Sequence, residues 1–163
     1  MNRASPTDRR LFVTLLAAGL LVSACSANTD LPRNTQTVGG MTIELGVMPA
    51  ELVKGHVTAP GEPNALHGGT PPNSFSRHVV VALFDAQSGA RITDARIRAG
   101  VGDRSYNHAP DTPLEPMQVN GAMSYGNFFL MQGEGLWRIH LEILRPGMSH
   151  PLEAEFGYEN TST

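Results

Sequence analysis

Leu114–Arg145, LEPMQVNGAMSYGNFFLMQGEGLWRIHLEILR, decides the fold. Trp137–Leu144 alternates strictly, with Trp137, Ile139, Leu141 and Ile143 on one side and Arg138, His140 and Glu142 on the other. Period two marks a half-buried strand, whereas a helix would space its apolar residues three and four apart. Asn127–Gln132 is aromatic and aliphatic, and Gly133-Glu134-Gly135 carries turn chemistry. The block reads as two strands joined by a tight hairpin, with Pro116–Gly126 as the lead-in.

The same periodicity extends outward. Met41–Val47 alternates imperfectly, with Ile43, Leu45 and Val47 on one side, and Val53–Thr58 is a candidate short strand. Arg77–Asp85 is apolar on both faces, as a central strand buried on two sides would be. Ala86–Ala90 is a turn, Arg91–Val101 alternates in its second half, and Leu152–Tyr158 closes the sheet. Pro60–Asn73, with four prolines and three glycines, and Gly102–Pro113 are loops. The expectation is an all-β, immunoglobulin-like β-sandwich of about seven strands over residues 41–158, followed by a tail at 159–163. No helix is needed, and Val79, Val81, Leu83, Ile97, Trp137, Ile139 and Leu141 form the predicted core.

Residues 1–24 have the pattern of an export signal. Arg3, Arg9 and Arg10 precede the apolar run Leu11–Val22, which is too short to span a bilayer comfortably. Leu21-Val22-Ser23-Ala24-Cys25 resembles a bacterial lipobox, and Cys25 is the only cysteine. An internal disulfide is therefore impossible, and lipidation of Cys25 is the predicted modification, placing the chain on a membrane through acyl anchors. Ser26 after the cysteine resembles the outer-membrane sorting pattern, so the predicted address is periplasm-facing, at the outer membrane where there are two membranes. Arg9-Arg10 also resembles a twin-arginine motif, and either export route fits. Residues 25–40 read as the lipidated cysteine and a flexible tether.

Composition narrows the function. Residues 1–24 hold three of the 12 basic and one of the 15 acidic side chains, so the exported part is more acidic than the net −3 of the whole chain. No basic stripe is left for nucleic acid. The chain has no G-x-S-x-G, H-E-x-x-H, Walker or G-x-G-x-x-G motif, and the expectation is a non-enzyme. The exported part does carry six methionines and six histidines. Thioether and imidazole suit copper, and imidazole with carboxylate suits iron or zinc. Met131 in its apolar strand reads as a core gap-filler, His140 as part of a solvated face, and His78 as either a core histidine or a ligand.

One resemblance organises these residues. Glu115-Pro116-Met117-Gln118-Val119-Asn120-Gly121-Ala122-Met123-Ser124-Tyr125-Gly126 is similar to the M-P-M-x-x-x-x-G-x-H-Y-G stretch of periplasmic copper- and iron-binding proteins that accompany bacterial high-affinity iron permeases. More loosely, the chain resembles YtkA-like exported β-sandwich domains. The resemblance covers roughly residues 41–150. It implies an immunoglobulin-like fold, possible homodimers, and copper held by Met, His and Glu side chains in the service of an iron or copper transport system. The family's ligand Met falls on Met117 and its ligand His on Ser124. Met41-Thr42-Ile43-Glu44 keeps the family's Glu at Glu44 and has Thr42 in place of a His. A further family His corresponds loosely to His150. The implied metal set is Glu44 and Met117 with His150 or His78, and Met48 and Met123 lie near enough in sequence to draw the site towards thioethers and Cu(I). The rival expectation is an anchored interaction module with no metal.

Overall fold

In the computed structural model, which describes Met1 and residues 31–53, 73–103 and 110–161, nine strands and one helical turn are seen among the described residues. The strands are β1 (Thr35–Val38), β2 (Met41–Pro49), β3 (Ser76–Asp85), β4 (Arg91–Ile92), β5 (Arg96–Gly102), β6 (Thr112–Val119), β7 (Ala122–Leu130), β8 (Gly135–Leu144) and β9 (Leu152–Asn160). The helix, α1, is only Ala50–Val53. The export signal, Cys25 and most of the Pro60–Asn73 stretch lie outside the described residues.

Every pairing is antiparallel, in the order β1-β2-β3-β7-β6-β5-β8-β9, with the short β4 paired to β3. β6 joins the two layers. Its first residues pair with β5, Leu114 opposite Ile97, while Glu115–Val119 pairs with β7. The ends of the order come together as well: Gly157 N donates to Pro32 O at 3.0 Å, and Gln36 Nε2 donates to Glu155 O at 3.1 Å. The result is a nearly closed β-sandwich, and the all-β expectation holds with nine strands in place of about seven.

The core follows from the alternation. Ile43 and Leu45 of β2, Val79, Val81 and Leu83 of β3, and Ile139, Leu141 and Ile143 of β8 are buried between the layers, with Phe156 of β9 and Met131 among them. Trp137 is a correction. It lies on the core side of β8 but at its end, only partly buried, with its indole Nε1 donating to Gly133 O at 3.4 Å.

Leu114–Arg145 departs from the expected arrangement in one important respect. β7 and β8 do not form a hairpin. β7 pairs with β3 and β6, and β8 pairs with β5 and β9, so Met131–Glu134 crosses from one layer to the other. The hairpin is one strand earlier. Asn120 and Gly121 form a two-residue loop between Val119 and Ala122, with φ of 50° and 76°. Two positive φ values in a two-residue loop are the mark of a type I′ turn, and Asn-Gly is its favoured pair. The lead-in Pro116–Gly126 is therefore itself strand, and the predicted Gly102–Pro113 loop gives its last two residues to β6. Three smaller differences have local causes. The Gly39-Gly40 loop folds Thr35–Val38 back onto β2, so the predicted tether ends in a strand. Val53 belongs to α1, where strand was expected. The closing strand runs on to Asn160, whose side chain is buried.

Candidate metal centre

Directly paired residues in a sheet point to the same side. That rule places the candidate ligands. On the outer face of the β2-β3-β7-β6 layer, three rows of residues run across the strands. Met48 pairs with His78 and His78 with Phe128; Gly46 pairs with Val80, Val80 with Gly126, and Gly126 with Glu115; Glu44 pairs with Ala82, and Ser124 with Met117. Glu44, Met48, His78 and Met117 thus share one face, as do Glu115 and Ser124.

Two of them converge. His78, only 1% exposed, extends its imidazole along this face towards β7, and Met117 extends its thioether towards the same strand. They meet at Gly126. A Cβ placed on Gly126 would lie 2.9 Å from His78 Nε2 and 2.9 Å from Met117 Sδ, with Val79 O at 3.1 Å. The absence of a side chain at Gly126 is what lets an imidazole nitrogen and a thioether sulfur flank one point. The Phe128 ring lies against the imidazole, centroids 4.9 Å apart and planes at 41°, which fixes the direction in which His78 reaches. An imidazole nitrogen and a thioether sulfur beside a cradle that a methyl group would fill form a donor pair suited to copper.

The other candidates stand apart from this point. Glu44 is exposed, and β3 and β7 separate its strand from that of Met117. Three strand spacings amount to about 14 Å, beyond what two side chains bound to one ion would span without bending the sheet. Met48 is on the far side of His78 from Gly126, and about a third exposed. Met123 pairs with Gln118, one residue out of phase with Met117, and so faces the opposite way; its carbonyl accepts Arg91 Nη1 at 2.7 Å. His150 is exposed in the connection between β8 and β9, in the other layer. Among the described residues no group of three or more His, Cys, Asp and Glu side chains could hold a metal by itself.

Gly126 is not among the residues that the sequence singles out. The signal was present: a glycine inside an otherwise bulky strand marks a close approach of other groups to the backbone. A wider groove of about 610 Å³ lies on the other side of β6, lined by Ala95, Ile97, Leu114, Pro116, Tyr125 and Leu144 among others. It is mostly apolar and contains none of the candidate ligands. Tyr125 is tied there by its hydroxyl, which accepts Ala95 N at 3.1 Å.

Comparison with known proteins agrees with the architecture. No protein-family model and no curated protein sequence matches the chain. Among solved structures, a copper-bound variant of FetP from uropathogenic Escherichia coli superposes with a TM-score of 0.61 at 13% identity, over 82% of this chain and 97% of that one. Copper-reconstituted P19 from Campylobacter jejuni gives 0.60 at 14% identity, over 80% and 95%. A DUF4426 family protein from Pseudomonas aeruginosa gives 0.57 at 16% identity, over 78% and 93%. At these identities the likeness establishes a shared fold.

Proposed function

We propose that this chain is a copper-handling protein of the bacterial cell envelope, exported and held to a membrane by lipid on Cys25, and that it works by binding rather than by catalysis. The observation that carries the reading is the convergence of His78 Nε2 and Met117 Sδ on the space in front of Gly126. Its support is twofold. The donor pair is borderline and soft, which favours copper over iron. The fold is shared with FetP and P19, both of which have been seen with copper bound. A role beside an iron or copper transport system belongs to the same proposal and rests on the sequence resemblance at Glu115–Gly126 alone.

The test is copper retention by the full-length lipoprotein purified in detergent. One equivalent should bind, and Met117→Leu, which keeps the volume and removes the sulfur, should weaken binding at least tenfold, about 1.4 kcal/mol. If the wild type retains no copper, the reading fails.

One observation favours a second reading, an interaction module. Phe75 and Leu130, next to each other where Phe75 O accepts Met131 N, are exposed by 42% and 59%, and Leu52 on α1 by 63%. Apolar side chains exposed at one end of a layer suit a protein partner. Copper binding by the wild type with the expected loss in Met117→Leu decides for the metal.

A further inference from the structure

We infer that Glu115 is the third ligand of this centre and that it is the one Cu(II) depends on. The inference rests on the copper reading above and adds a residue and an oxidation-state rule to it. Glu115 is the direct cross-strand partner of Gly126 in the β6–β7 pairing. Residues so opposed have Cβ positions about 4.5–5.5 Å apart and project to the same side. Glu115 also precedes Met117 by two residues on one strand, so the two share a face. Gly126 thus has His78 Nε2 and Met117 Sδ beside it, and Glu115 directly opposite in the register of β6.

The chemistry of the three differs in a useful way. A thioether holds Cu(I) well and Cu(II) poorly, a carboxylate does the reverse, and an imidazole serves both. An imidazole and a thioether bind metal as neutral donors and bring no charge of their own to offset a dication in a partly desolvated place, where leaving it unoffset is costly. Glu115 supplies that charge. Burial is graded in the same sense: His78 is buried, Met117 half-buried and Glu115 exposed. An arriving ion meets the carboxylate first and the imidazole last. Glu44, the acid that resemblance points to, is three strands away from Met117 and has no part in this set.

Gly126 sets the space. A methyl group there would meet the flexible Met117 thioether, the buried His78 imidazole and, at 3.1 Å, the Val79 carbonyl, so Gly126→Ala should push both donor atoms aside at some cost in stability.

The test uses the full-length lipoprotein in detergent, titrated with Cu(I) and with Cu(II) against chelators of known affinity, with Cu(II) electron paramagnetic resonance as a second readout. Glu115→Gln should weaken Cu(II) at least tenfold, alter the Cu(II) spectrum and leave Cu(I) within threefold. Met117→Leu should do the opposite. Gly126→Ala should weaken both while keeping the strand-rich circular dichroism of the wild type, and Glu44→Gln should change neither. Cu(II) bound by Glu115→Gln with wild-type affinity and spectrum overturns the assignment of Glu115. The copper reading survives that result if Met117→Leu still loses Cu(I). A wild type that binds neither ion overturns both. Should Gly126→Ala not fold, Glu115→Gln decides alone, its fold checked by the same circular dichroism.

Discussion

Arg77 Nη2 in β3 donates to Asn160 Oδ1 in β9 at 3.0 Å, and both residues are buried. A guanidinium inside a sandwich normally needs an acid. Here it is satisfied by dipoles: Nη1 donates to Ser74 O at 2.9 Å and Ser76 O at 3.3 Å, while Nε has no acceptor. The Asn160 amide donates onward to Met131 O at 3.0 Å and Gly133 O at 2.6 Å. One side chain therefore joins the end of β9 to β3 and to the crossover between layers.

Asn160→Ala leaves a buried cation and two carbonyls without this partner. Each unpaired buried group costs about 1–3 kcal/mol, more for a charged one. The expected loss is about 3 kcal/mol in urea unfolding. A loss under about 1 kcal/mol would show that water replaces the amide and that the junction is not structural.

Phe156 and Trp137 test how burial is distributed along the strands. Phe156 is fully buried, so Phe156→Ala should cost about 3–5 kcal/mol. Trp137 is the larger residue but only partly buried at the end of β8, and Trp137→Ala should cost about 1–2 kcal/mol, since less apolar area leaves water. Unfolding that ranks the tryptophan above the phenylalanine would place Trp137 in the core after all.

The alternation in β2, β3, β8 and β9 made the strands legible and assigned their inward faces. It could not assign partners, because period two is a property of one strand and pairing is a property of two. Hence the turn chemistry of Gly133-Glu134-Gly135 suggests a hairpin where the chain crosses between layers, although Asn120-Gly121 is the stronger turn signal. The candidate site was partly legible for the same reason. Met117 and His78 are both visible as candidates, but their meeting depends on the order β3-β7-β6 and on the missing side chain at Gly126. Glu44 was drawn in by resemblance, and the strand order separates it from Met117.

Gly121→Ala tests the turn that replaced the expected hairpin. Nothing lies within 4 Å of the new methyl group, so any cost is conformational. A φ of 76° is left-handed, and a residue with a Cβ pays about 1–2 kcal/mol for it. The melting temperature should fall accordingly, with copper affinity kept, because the turn is remote from Gly126. No loss of stability would mean that the loop adopts another turn.

Acid titration tests the β3–β4 turn and the neighbouring ion pair. The Asp85 carboxylate accepts from Ser88 Oγ at 2.6 Å and from the backbone N–H groups of Ser88 and Gln87 at 2.8 Å and 3.2 Å. These bonds favour the charged form, and the Ser88 hydroxyl does most to hold Asp85 below its ordinary 3.8. Asp94 is held below the same value mainly by its hydrogen bond from Arg145 at 2.9 Å. A carboxyl depressed in the folded state stabilises it above the unfolded value and ceases to do so as pH falls through the folded one. Stability from both groups should thus be intact at neutral pH and decline only below pH 3.8. Both carboxylates are exposed, so the effect is small and screened by salt. Carboxyl-detected NMR titration should find Asp85 moving up towards 3.8 in Ser88→Ala, with Asp94 unmoved, and Asp94 moving up in Arg145→Ala. An Asp85 titration that is the same in wild type and Ser88→Ala would remove the hydroxyl as the cause.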